Sequence, residues 1–481
     1  MSDCERIIAG GQVVDGSGAS RRRADVAVTD GRIVAVGDLS GWTASAERID
    51  AGGLIVAPGF IDVHTHDDRL LLAHPEMTPK VSQGVTTVVV GNCGISLAPL
   101  SPVGDPPPPL NLLGGQGDFC FPTFADYASA LDAAPAAVNA VALVGHSTLR
   151  AAVMDDFGRA ATAAETAGMA ALLDESLAAG CAGLSAGLAY ATAKAAPTDE
   201  VAALAARLRQ AGGIFTLHLR DEADEVVASV EEAIAIGRRS GAPLVISHHK
   251  SGGRANWGLS RKTLDLIAAA RAEGVRVDLD TYPYTASSTV LLKDFAARAE
   301  RVLISWSEPH PETTGRDLAE VAEEWGVAVD AAVDRLLPAG AVYFQMDEDD
   351  LRRILAFEGT MVGSDSLPHD VRPHPRLWGT FSRVLGHYAR DCGLFPLEEA
   401  VFRMTGNAAH VFGLGDRGRI AAGAAADIVM FDEARVLDRA TYEAPFEPAV
   451  GIRRVLVNGE TVWRDGGATG RRPGRLLGRN G

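Results

Sequence analysis

Phe60-Ile61-Asp62-Val63-His64-Thr65-His66 is a short run of strand character that ends in two imidazoles. In extended backbone the side chains of residues i and i+2 share a side, so His64 and His66 point the same way. Counting 60–63 as the first, seven more apolar runs follow, at 86–90, 140–144, 182–184, 214–217, 244–246, 276–279 and 361–363. The stretches between them are rich in Ala, Glu, Arg and Leu, the composition of helices. Strands that alternate with helices form parallel βα units, and eight such units close a barrel. The predicted fold class is therefore α/β, a (β/α)8 TIM barrel.

Outward from this core the texture changes. Residues 25–36 read as two alternating runs joined at Asp30-Gly31, and residues 455–463 as another pair joined at Asn458-Gly459, with a further strand-like run at 426–431. Asp-Gly and Asn-Gly are the tight hairpin turns. Because chain ends often lie together, residues 1–57 plus 415–481 are expected to form one small β-sandwich beside a barrel of residues 58–414. The Pro/Gly-rich segment 101–122 reads as a loop. Residues 286–345 are too long for an ordinary barrel connection and read as an insertion over the barrel mouth.

Composition narrows the class of partner. The chain has 481 residues, 47% hydrophobic and 22% charged, enough for a large core and more than one ordinary domain. A net charge of −17 opposes binding to nucleic acid or an anionic membrane. A local basic pocket can still take an anionic small molecule, which is the expected partner. Five scattered cysteines suit a reducing compartment better than a disulfide framework. Met1-Ser2-Asp3-Cys4-Glu5 has neither the basic nor the apolar region of a signal peptide, and no apolar run reaches membrane-spanning length. The expected location is the cytoplasm.

In a (β/α)8 barrel the C-terminal ends of the strands meet at one mouth, where active sites are built. The first run ends at His64 and His66, the second at Asn92 and Cys93, the third at His146. The fifth ends at His218, the sixth at His248, His249 and Lys250, the eighth at Ser364 and Asp365. A single histidine at a strand end is ordinarily a hydrogen-bonded core residue. Here imidazoles, a thiol and a carboxylate converge from five strand ends, which is a metal-ligand inventory, and mixed N/S donors favour zinc. His249 follows a ligand candidate and points away from it, so it is assigned to packing. His146 is assigned to the pocket wall.

These residues carry a family resemblance. The stretch Ala57-Pro58-Gly59-Phe60-Ile61-Asp62-Val63-His64-Thr65-His66 resembles the strand-one signature of the amidohydrolase superfamily. Three stretches resemble the D-aminoacylase (N-acyl-D-amino-acid deacylase) family within it: Gly91-Asn92-Cys93-Gly94, Asp280-Thr281-Tyr282-Pro283-Tyr284 and His374-Pro375-Arg376-Leu377-Trp378. The resemblance runs over essentially the whole chain. It implies one tightly held zinc on Cys93, His218 and His248, and a second, weak or empty position at His64, His66 and Asp365. The fourth run offers no lysine at its end, so Cys93 looks like the replacement for the bridging lysine of most amidohydrolases. The resemblance further implies that Lys250, Tyr282, Ser288 and Arg376 grip a substrate α-carboxylate, with Tyr190 near the scissile amide. Independently of it, Lys250 and Arg376 are the cations that a carboxylate needs.

The expected reaction is zinc-dependent hydrolysis of N-acyl-D-amino acids, with Asp365 as general base and acid. The D stereochemistry comes from the resemblance alone. In the D-glutamate-preferring branch of the family an arginine lies about where this chain has Phe295, so a neutral or hydrophobic substrate side chain is expected. The competing expectations are an N-acyl-D-glutamate deacylase, another amidohydrolase such as a cyclic amidase or sugar deacetylase, and a non-catalytic scaffold on the same barrel. Every ligand position is filled, which opposes the last.

Overall fold

Eight parallel strands lie side by side in chain order in the computed structural model, which describes residues 3–478: Phe60–Asp62, Val85–Val90, Asn139–Gly145, Gly183–Gly187, Ile214–His218, Leu244–Ile246, Val277–Thr281 and Thr360–Val362. A bridge from Thr65 to Ser366 joins the eighth strand back to the first, so the sheet closes into the expected barrel. Each of the eight expected runs overlaps one of these strands. They read as apolar runs because a barrel strand is covered on both faces; all six residues of Val85–Val90 are buried. Helices Thr198–Ala211, Val226–Ser240 and Ser260–Ala272 pack outside the fourth to seventh strands, and the second of these stops at Gly241 in the left-handed conformation.

The strands from both chain ends join in one nine-stranded sheet, tied together where Ile55–Pro58 pairs antiparallel with Ile428–Phe431. Ile8, Val26, Ile33, Val56, Ile428 and Leu456 form its core and are fully buried. The last stretch leaves this sheet and returns to the barrel, where the Ala140 amide donates to the Arg475 carbonyl at 2.9 Å and the Leu477 amide to the Ala140 carbonyl at 2.8 Å.

Between the seventh and eighth barrel strands lies a second small sheet, in which Ala339–Phe344 pairs antiparallel with both Ala286–Val290 and Arg301–Ser307. Helices Lys293–Arg298, Leu318–Glu324 and Val329–Leu336 accompany it, and Ile304, Val321, Val333, Leu336 and Tyr343 are its buried centre. Segment 101–122 is loop with two short 3-10 turns, Leu110–Leu112 and Gln116–Asp118. Among the described residues no helix is long and apolar enough to cross a membrane.

Candidate active site

Sharp turns at the strand ends aim the site. Cys93, His248 and Asp365 have φ of 53°, 34° and 49°, in the left-handed region that side chains avoid. Such strain persists only where surroundings over-determine it, and it gathers at functional sites. The His248 amide is held by the Asp280 carboxylate at 2.9 Å and the Asp365 amide by the His64 carbonyl at 2.7 Å. The Cys93 turn is admitted by Gly187 on the fourth strand, where a Cβ would stand 2.1 Å from the Cys93 carbonyl oxygen.

These turns bring the side chains together. The donor atoms of Cys93, His218 and His248 form one buried group within 4.8 Å of one another, and those of His64, His66, Cys93 and Asp365 form a second, so Cys93 belongs to both. Cys93 Sγ lies 3.2 Å from His64 Nε2 and 3.2 Å from His248 Nε2. Asp365 Oδ1 lies 3.3 Å from His66 Nε2 and 3.5 Å from His64 Nε2. Among the described residues neither ring nitrogen of His218 has a hydrogen-bond partner, although His218 is buried. A buried imidazole without hydrogen-bond partners, set among a thiol and further imidazoles, has its lone pairs available to a metal, and this donor set fits zinc.

The charges interlock. Burial pushes the Cys93 thiol up, but the imidazoles of His64 and His248 outweigh it and hold the thiol well below its ordinary value. Burial opposes protonation of His66, yet its bond to Asp365 and the nearby thiol raise it to about 9. Burial also acts on Asp365, but the Arg376 guanidinium and the neighbouring imidazoles keep its carboxyl well below the usual range.

Beside this group is a cavity lined by Tyr190, Lys250, Tyr282, Ser287, Ser288, Thr289, Phe295, Leu112 and Leu367 together with His66, His218, His248 and Asp365. A larger cavity of about 440 Å³ shares Tyr190, His218, Glu222 and Phe295 with it and opens outward. Arg376 is fully buried, stacks on the Tyr282 ring at 4.6 Å, and donates from Nη2 to the Ser288 carbonyl at 3.1 Å. Its Nη1 is 2.9 Å from Asp365 Oδ2, an ion pair whose angle is too poor for a hydrogen bond, so Nε and Nη1 keep unused donors. The buried Tyr282 hydroxyl has no partner either. Ser287 and Ser288 both line the cavity. The Ser288 hydroxyl donates to the Ala341 carbonyl, while the Ser287 hydroxyl accepts from Gln345 Nε2. Tyr190 packs 4.9 Å from the His218 ring, with its hydroxyl 3.2 Å from Thr289 Oγ1.

One expectation changes. His146 does not line the cavity: its Nε2 lies 3.0 Å from the buried Glu200 carboxylate, which also pairs with Arg150. Lys250 is at the cavity but not free, because its Nζ is 2.7 Å from Glu222 Oε1 and 2.7 Å from His248 Nδ1.

Sequence reasoning missed two carboxylates. Glu222 Oε1 lies 3.0 Å from His248 Nδ1, and Glu222 Oε2 lies 3.7 Å from His218 Nε2. Burial raises its carboxyl, but Lys250, His218 and His248 pull it far below its ordinary value. Asp280 Oδ1 stands 3.5 Å from His64 Nδ1 while accepting from the His248 amide. At 3.0 Å Glu222 can fix the orientation of the His248 ring, as carboxylates beside ligand histidines do, whereas the other two contacts are longer than hydrogen bonds. Asp280 directly follows the apolar run 276–279, the same placement that singled out the other candidates, and Glu222 follows His218 by four residues.

Comparisons with known proteins identify the family. The amidohydrolase family model matches residues 47–463. With that match and the relatives below, the chain belongs to the amidohydrolase family, in the D-aminoacylase group. The D-aminoacylase of Alcaligenes xylosoxydans xylosoxydans is 56% identical over 473 residues, covering 98% of this chain and 97% of that one. A solved D-aminoacylase structure, described for one-metal activation and second-metal attenuation in its binuclear metal centre, superposes with a TM-score of 0.97 at 55% identity, covering 99% of this chain and 100% of that one. The N-acyl-D-glutamate deacylase of Bordetella bronchiseptica, solved with zinc and a phosphonate mimic of the tetrahedral intermediate, superposes with a TM-score of 0.95 at 48% identity, covering 99% and 100%.

Proposed function

We propose that this protein is a metal-dependent deacylase that hydrolyses N-acyl-D-amino acids to a carboxylate and a free D-amino acid. The observation that carries the reading is the meeting of two chemistries in one buried cleft. The zinc-type donors and the unpartnered Tyr282 hydroxyl line that cleft, and the Arg376 guanidinium, with unused donors of its own, backs it, stacked on the Tyr282 ring and paired with Asp365. An anion with an amide next to it satisfies both.

Cys93, His218 and His248 would hold the tight zinc, and His64, His66 and Asp365 a weaker second position. Bound there, zinc supplies a Lewis acid for the amide carbonyl and lowers the pKa of water. The remaining work falls to the chain's own residues. The Arg376 guanidinium and the Tyr282 hydroxyl bind the substrate carboxylate, and Ser288 and Lys250 border it. Tyr190, packed on His218, limits where the amide can lie. Asp365, ionised because of Arg376 and the imidazoles, accepts a proton from the attacking water and returns it to the amide nitrogen as the C–N bond breaks. Water is consumed, the acyl carbon leaves as a carboxylate and the nitrogen as an amine.

For the substrate side chain the reading favours neutral, apolar groups. Phe295 lines both cavities. Two of the cations on the outer cavity's wall are paired with carboxylates: Lys293 with Asp334, and Arg298 with Asp221 and Asp224. The deciding experiment is a chelator-sensitive deacylase assay on N-acetyl-D- and N-acetyl-L-amino acids side by side. Activity on the D series that is lost to chelator and restored by zinc is expected. Activity that ignores the chelator, or prefers the L series, refutes the reading.

A further inference from the structure

Beneath the site, outside the cavity lining, lies a cluster in which Lys80, Asp62, Asp67, Ser364 and Ser366 are all fully buried. Lys80 Nζ is 2.7 Å from Asp62 Oδ2, 2.8 Å from Ser364 Oγ and 2.8 Å from Ser366 Oγ, with Asp67 Oδ2 at 3.2 Å. An ammonium has three N–H donors, and the three short contacts use them all. The residues it ties are the ones that bracket the site. Asp62 and Asp67 flank the His64–His66 strand end, and Ser364 and Ser366 flank Asp365. The brackets also bind one another. Asp62 Oδ1 accepts from the Ser364 amide at 2.8 Å, the His66 amide donates to the Ser366 carbonyl at 3.3 Å, and Thr65 bridges to Ser366. Asp365 stands between the two serines in its left-handed turn.

We infer that Lys80 is a positioning residue for the deacylation proposed above: its ammonium clamps the first and eighth barrel strands together and so holds Asp365 against His64 and His66. It is barred from proton transfer, since all its donors are used and it does not line the cavity. A buried cation that only balanced charge would need carboxylates alone; here two of its three short contacts go to neutral hydroxyls on either side of Asp365. The role rests on the assignment of Asp365, so the test carries its own control.

The first variant is Ser364→Ala with Ser366→Ala, which leaves the ion trio whole, cuts the ammonium's tether to the Asp365 turn and removes the Ser366 hydroxyl's bond to Asp67 at 3.3 Å. With N-acetyl-D-leucine as probe, kcat should fall about 10- to 100-fold with KM unchanged, the range seen when outer partners of a metal site are lost. Calorimetric titration of the apoenzyme with zinc should show the first equivalent unchanged and the second weakened. The second variant, Lys80→Met with Asp62→Asn, removes one positive and one negative charge, so the trio keeps its net charge while the ammonium disappears. Thermal stability should recover relative to Lys80→Met alone, but kcat should stay low. Unchanged kcat in the serine variant, or kcat that recovers together with stability in the Lys80 variant, overturns the inference. Asp365→Asn is measured in parallel. If it retains full turnover, the fault lies in the assignment of Asp365, and if it collapses while the serine variant is unaffected, the fault lies in the clamp.

Discussion

Arg376 and Asp365 face each other at 2.9 Å, Nη1 to Oδ2, with the guanidinium wholly buried. The two residues therefore share one desolvated site in which a carboxylate is already present. A substrate carboxylate reaching it meets a guanidinium whose Nε and Nη1 keep unused donors, with the unpartnered Tyr282 hydroxyl beside it. Arg376 can hold Asp365 with one edge and the substrate with another, which couples recognition of the substrate to placement of the base.

Arg376→Met should therefore discriminate between substrates. On N-acetyl-D-amino acids kcat/KM should drop by about 2–5 kcal/mol in transition-state terms, the cost of truncating a buried charge pair. On the corresponding carboxamides the drop should be smaller, limited to what Asp365 loses in placement and ionisation when its guanidinium partner goes. The ratio between the two substrates is insensitive to how much enzyme is folded, which matters because removing one member of a buried ion pair also destabilises the fold. Equal losses on both would show that Arg376 does not read the carboxylate.

Cys93→Ala removes the atom common to both donor groups. Elemental analysis of the purified variant should show loss of the tightly held zinc, and turnover should vanish with it. Retention of a full equivalent of zinc with full turnover would mean that the ligands lie elsewhere.

Asp365→Asn separates the two groups. Cys93, His218 and His248 remain, so the tight zinc should stay, while kcat falls by about 10²–10⁴-fold, the contribution typical of general acid–base catalysis. Loss of the tight zinc in this variant would make Asp365 a ligand of that site and would require another base.

The candidate site could be read largely from the chain because a barrel makes strand ends converge. Once eight apolar runs are placed, the residue after each run must lie at the mouth, and His64, His66, Cys93, His218, His248 and Asp365 do meet there. The parts that escaped do so for physical reasons. Glu222 sits beyond its strand in a turn, and Lys80 on a four-residue helical turn, Thr78–Val81, too short to carry any periodicity. Their partners, His248 and Ser364, are far away in sequence and known only once the strands are assembled. The engagement of Lys250 by Glu222 is likewise a choice between acceptors that composition does not rank. His146 shows the converse: a strand-end position alone does not reach the cavity when a buried carboxylate, Glu200, captures the ring.

Phe295 governs the last prediction. It packs against Tyr343 with ring centres 5.6 Å apart and at the same time forms part of the cavity wall shared by the inner and outer spaces. The two roles are compatible, since Tyr343 fixes one side of the ring and leaves another toward the cavity. A substrate carboxylate laid against it would lose water without gaining a partner, which is costly. An apolar side chain would gain roughly 25 cal/mol for each Å² it buries there. Lys293 and Arg298, close to Phe295 in sequence and on the outer cavity's wall, pair with Asp334 and with Asp221 and Asp224. N-acetyl-D-leucine should accordingly show a clearly higher kcat/KM than N-acetyl-D-glutamate, and Phe295→Arg should narrow or reverse that preference by offering a bidentate guanidinium to the distal carboxylate. A wild-type preference for the glutamate derivative would refute the role given to Phe295 while leaving the deacylase reading in place.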